Sequence, residues 1–135
     1  MLNSRYQILP HRADLKIKSF GQSKKEVFEN MLIGMQESLR PELTSQAVVR
    51  KIQVESDNLE NLLVDFLNEV NYLNEINFEA YNRVKFLEFS DKKLVAQLYG
   101  FKVNFFGEDI KAVSYHDLKV EKVNSHWEAV VLFDV

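Results

Sequence analysis

The sequence predicts an α+β fold in which two amphipathic helices pack on a mostly antiparallel β-sheet, all within a single domain over residues 1–135. Three observations carry that expectation. Apolar residues recur at helical spacing in two windows. The segments before, between and after them are β-rich or alternate apolar with polar residues. At 135 residues the chain can bury a sizeable core but is too short to divide comfortably in two.

Taken in order, Tyr6-Gln7-Ile8-Leu9 reads as a short strand stopped by Pro10, which is disfavoured inside a sheet. Leu15 to Phe20 alternates, the mark of a strand with one buried face. After Gly21, Ser23 and Glu26 stand at capping-box spacing and open a helix to about Leu39. That helix buries Val27, Phe28, Met31, Leu32, Met35 and Leu39, and Pro41 ends it. Ala47 to Glu55 is β-rich. Asp57 and Glu60 repeat the capping pattern before a broad apolar stripe of Leu59, Leu62, Leu63, Phe66, Leu67, Val70 and Leu73. The remaining strands run over Arg83 to Phe89, Leu94 to Val103, Lys111 to Lys122 and Trp127 to Val135. Turns at Ser90-Asp91-Lys92-Lys93 and Asn124-Ser125 separate two pairs of them. Strands grouped beside two helices indicate α+β. The element spacing leaves no room for a Rossmann crossover series.

Composition narrows the function classes. The chain has no cysteine, which removes disulfides, thiolate metal sites and a cysteine nucleophile, and suits a reducing cytoplasm. The N-terminus lacks a signal-peptide pattern, and Leu59 to Leu73 is broken by Glu60, Asp65 and Glu69, so a soluble cytoplasmic protein with no membrane role is expected. Net charge is −3, with lysines and arginines scattered among acids. Unaided nucleic-acid binding usually needs a basic face, so any RNA role is expected to be indirect, through a partner. There is no Gly-rich phosphate loop, no Gly-x-Ser-x-Gly elbow and no His-Glu-x-x-His helix. The expectation is therefore no catalytic residues and no self-sufficient enzyme.

Two segments could hold chemistry. In the loop Pro10-His11-Arg12-Ala13-Asp14 the titratable groups His11 and Asp14 sit between two strands. Asp14 on its own is equally a turn-closing residue, with His11 a packing or surface side chain. At the other end, Asp134 and the Val135 carboxylate follow the apolar run Val130 to Phe133, so the end itself is expected to lie in the sheet. If the two segments meet, three carboxylates converge and call for a hard cation, Ca²⁺ or alternatively Mg²⁺. The spacing does not say whether they meet. Alternation puts His116 on the face opposite Tyr115 and Asp117, where a structural histidine is the plainer reading. Asp65 and Glu69 could bracket a cation or mark a solvated face. Asn71, Asn74 and Asn77 form a polar row without an evident role.

Together these residues resemble the archease family. Leu9-Pro10-His11-Arg12-Ala13-Asp14-Leu15 resembles its Pro-His-Thr-Ala-Asp-Ile/Val signature. Leu59-Glu60-Asn61-Leu62-Leu63-Val64-Asp65-Phe66-Leu67-Asn68-Glu69 resembles its Leu-Leu-x-Trp-Leu-Asn-Glu stretch, Ile110 to His116 its Lys-Ala-Val-Thr-Tyr-His strand, and Phe133-Asp134-Val135 its Phe-Asp-Ile/Val end. The resemblance implies an accessory protein that activates the guanylylated-histidine RNA ligase of tRNA splicing, promoting its GTP-dependent guanylylation and multiple turnover. It implies Ca²⁺ held by Asp14, Asp134 and Val135, with His11, Arg12 and His116 contacting the partner or supporting the ligands. Three positions depart from the pattern: Arg12 replaces threonine, Asp117 a common glycine, and Phe66 tryptophan. Two alternatives stand beside this function: a general chaperone or protein modulator, and a stand-alone metal-dependent phosphoester hydrolase.

Overall fold

A computed structural model of the chain describes residues 5–11 and 13–135. The strands are β1 (Tyr6–Leu9), β2 (Asp14–Gly21), β3 (Pro41–Glu55), β4 (Glu79–Phe89), β5 (Lys93–Phe106), β6 (Ala112–Val123) and β7 (His126–Asp134), with helices α1 (Lys24–Ser38) and α2 (Leu59–Asn77). All strand pairs are antiparallel, as expected, but the strands divide between two sheets. One has the order β1-β2-β7-β6 and the other β3-β5-β4.

Each helix touches both sheets, α1 through β2 and β4, α2 through β6 and β3. That is why α1 is buried continuously from Asn30 to Gln36 rather than along one stripe. Phe28 lies at the centre, with its ring 6.0 Å from Phe66 and 5.0 Å from Phe89. Phe66, which stands where the family pattern has tryptophan, is fully buried in this cluster.

Local chemistry sets the helix starts. Ser23 Oγ accepts from the Glu26 amide, while the Glu26 carboxylate accepts from Gln22, one residue earlier than the reciprocal pairing of a capping box. For α2 the cap is Asn58, not the expected Asp57. Its backbone is extended and its Oδ1 accepts from the Asn61 amide at 2.8 Å, leaving Asp57 one position outside. α2 ends on Phe78 in the left-handed region, φ 54°.

Strand β3 begins at Pro41 instead of Ala47, because register shifts after Pro41 and Leu43 let an irregular sequence stay paired to β5. Strand β4 begins at Glu79 rather than Arg83, for a reason buried beneath it. Glu79 is fully buried and accepts from Arg50 Nε at 2.8 Å, Arg50 Nη2 at 2.6 Å and Tyr81 Oη at 2.8 Å, with Lys102 Nζ 3.3 Å away. Hydrogen bonds from Arg50 hold its carboxyl down at about 2, against the opposing pull of burial.

Candidate functional site

The loop and the chain end come together. Asp14 opens β2 and Asp134 closes β7, and the two are direct partners in the antiparallel register. Residues so paired have Cα atoms about 5 Å apart and side chains on one face, so the carboxylates stand side by side. Strand β6 flanks them, with Ala112 opposite Asp134 and the Lys111 amide donating to the Asp134 carbonyl at 2.8 Å. Alternation from buried Ile17 places Asp14 and Lys16 on the outer face of this sheet.

Ala13 sets the entry to the strand. It lies at φ 57°, a left-handed conformation that costs an L-residue roughly 1–2 kcal/mol. His11 Nδ1 is 3.6 Å from Asp14 Oδ2. Arg12, expected at the same site, lies outside the described residues. Val135 is 48% exposed and outside the strand, which stops at Asp134, so the expectation that the end itself lies in the sheet is corrected: only the penultimate residue keeps a pairing partner.

His116 lies on the neighbouring strand in a bulge. The register between β6 and β7 shifts between Ser114 and Lys119, and Asp117 sits at φ 57°. That conformation suits glycine best but is tolerated by Asp, which fits the departure from the family pattern. The bulge breaks the expected alternation. Tyr115 Oη hydrogen-bonds Asp65 on α2, whereas Asp117 Oδ2 approaches Lys16 Nζ, at 3.8 Å, on the outer face. The two therefore do not share a side. His116 is largely exposed, its Nε2 3.6 Å from Asp117 Oδ1.

The helix acids and amides also acquire roles. Asp65 accepts from both Tyr115 and Ser56, and the hydrogen bond from Tyr115 raises the phenol's pKa. Asn68 exchanges two hydrogen bonds with the Val113 backbone, and Asn71 donates to the Ile110 carbonyl at 2.9 Å. Asn74 pairs with Gln36 and donates to the Glu79 carbonyl. At three-residue spacing, these amides satisfy the backbone where β6 begins and where β4 leaves the helix. Asn77 accepts from Lys102 Nζ through its carbonyl, at 3.0 Å. The row thus fixes the strand that borders Asp134.

The side-chain donors at this corner are two carboxylates on adjacent strands. Among the described residues, no three His, Asp or Glu side chains gather closely enough to hold a metal ion. A set made only of carboxylates fits a hard cation. Among the described residues, no helix is long and apolar enough to cross a membrane.

Comparison with known proteins is decisive about kinship. The model of the Archease protein family (MTH1598/TM1083) matches residues 6–135. The chain belongs to the archease family. Its archease relatives include the Methanosarcina barkeri protein, 33% identical over 96% of this chain and 95% of that one. The Pyrococcus abyssi archease is 32% identical, over 97% and 99%. The fold matches the solution structure of Methanobacterium thermoautotrophicum protein 1598, with a TM-score of 0.72 at 22% identity, covering 98% of this chain and 99% of that one. It also matches a crystal structure from Thermotoga maritima described as an archease, possible chaperone, with a TM-score of 0.70 at 21% identity and 96% of each chain covered. The archease resemblance read from the sequence therefore holds from end to end.

Proposed function

We propose that this archease activates a guanylylated-histidine RNA ligase of tRNA splicing, promoting its GTP-dependent guanylylation and repeated turnover. It acts through the acidic corner at Asp14, Asp134 and Val135. Support comes from family membership and, above all, from the register that sets Asp14 directly opposite Asp134. Like charges across a strand pair repel, which a fold tolerates without benefit unless something uses them. The two side-chain carboxylates and the terminal carboxylate would hold Ca²⁺, with Mg²⁺ the alternative. The ion would supply a fixed positive charge and tie the loop to the chain end. His11 and the exposed His116 bulge lie where a partner would meet that corner, and RNA is then handled by the ligase rather than by this chain.

The Thermotoga maritima protein's description as a possible chaperone favours one other reading, a modulator of several client proteins. The assay that tests the proposal is ligation of broken tRNA by the cognate ligase, with substrate in excess and with or without this protein. Ligation that stalls after one round alone and continues in its presence is the expected result. Equal turnover in both reactions overturns it.

A further inference from the structure

The two sheets have four edges, at β1, β6, β3 and β4. An open edge invites pairing with another chain, and proteins blunt it with bulges and charges. Strand β3 has two register shifts and carries Arg50, Lys51 and Glu55. Strand β4 also has two, with Arg83, Lys85 and Glu88. Strand β6 has the bulge at Asp117, with Lys119, Glu121 and Lys122 beyond it. Strand β1 has neither device: its pairing with β2 is regular, and Tyr-Gln-Ile-Leu carries no charge. Among the described residues, its protection is its length of four residues and the flanking charge of Arg5.

The free groups on that edge can be assigned. The Phe20 amide donates to the Arg5 carbonyl at 3.0 Å, so alternation turns the backbone of Arg5, Gln7 and Leu9 toward β2. The N–H and C=O groups of Tyr6 and Ile8 then point outward. Ile8 is 49% exposed on the same edge.

What borders the edge selects what can lie there. Tyr6, Glu29 and Ile33 line one cleft of about 1300 Å³, and Tyr6 Oη donates to Glu37 Oε1 at 2.7 Å. Glu29, Ile33 and Glu37 are spaced by four on α1 and so form one stripe beside β1. A strand added here meets exposed Ile8 and the carboxylates of Glu29 and Glu37, with Arg5 in the same cleft at the start of the edge. Beyond Leu9 the chain runs straight into the loop that delivers Asp14.

We infer that β1 is a docking strand, to which an extended segment of the partner ligase adds by backbone pairing, with apolar side chains on Ile8 and a basic one toward Glu29 and Glu37. This rests on the proposed ligase partnership. It places the partner's segment beside the acidic corner.

Amide hydrogen exchange on the full chain, with and without the purified cognate ligase, tests it. Exchange at Tyr6 and Ile8 should slow at least tenfold in the complex, while Gln7 and Leu9, already paired, change little. Ile8→Lys should weaken ligase affinity about tenfold without lowering the melting temperature, and Glu29→Lys should weaken it several-fold, more at low salt. If the ligase binds and turns over faster but Tyr6 and Ile8 exchange as before, the docking strand is wrong and the proposed function stands. If the ligase does not bind at all, both fall. Protection that grows with protein concentration in the absence of ligase assigns the edge to a second copy of this chain and overturns the inference.

Discussion

The acidic corner and the buried Glu79 cluster use carboxylates in opposite ways. Glu79 is fully buried, with Arg50 from β3, Lys102 from β5 and Tyr81 from its own strand built around it. Asp14 and Asp134 stand opposite one another at strand ends, with His11 beside Asp14 and the exposed Val135 beyond Asp134. The fold completes the first arrangement within itself. The second is offered outward, so the corner is where a cation and a partner can add something.

The widest separation should appear in stability. Glu79→Ala leaves the buried Tyr81 hydroxyl and the partly exposed Arg50 and Lys102 without their carboxylate, and should cost about 1–3 kcal/mol in urea denaturation. Because the folded carboxyl lies at about 2, below the ordinary value of 4.5, its contribution is complete above pH 4.5 and is lost as the pH falls toward 2. Glu79→Gln should flatten the acid limb of the stability curve over that interval. An unchanged limb would deny that Glu79 is held ionised.

Calcium should act only at the corner. At a hundredfold excess over its dissociation constant, Ca²⁺ should stabilise the wild type by about 2.7 kcal/mol and leave Asp14→Asn unmoved. Equal shifts in both would place the ion elsewhere. Without calcium, Asp14→Asn relieves the facing charges and should stabilise the protein by up to about 1 kcal/mol. A clear loss instead would make Asp14 a structural residue like Glu79. The smallest expected effect belongs to Arg12→Thr, which removes a cation two residues from Asp14 and should tighten calcium binding roughly threefold.

Local pattern made much of this fold legible. Apolar periodicity marked both helices and most strands, and Ser23 marked the start of α1. What pattern could not show depends on distant partners. Strand β4 starts four residues early because Glu79 finds Arg50 from β3 and Lys102 from β5, and nothing near Glu79 in the sequence announces them. The division into two sheets is likewise hidden, since alternation marks a buried face without saying which strand lies alongside. At the site, the residue types in the loop and at the chain end suggested a cation, but only the pairing of β2 with β7 brings Asp14 to Asp134. The asparagine row was visible and unexplained, because Asn71 and Asn74 reach partners about forty residues away, the Ile110 carbonyl and the Gln36 side chain.

The sharpest test of the acidic corner is multiple-turnover ligation of broken tRNA by the cognate ligase, comparing wild type with Asp14→Ala. The wild type should sustain turnover, while Asp14→Ala, with unchanged melting in the absence of calcium or a slight gain, should not. Undiminished stimulation by Asp14→Ala would contradict it.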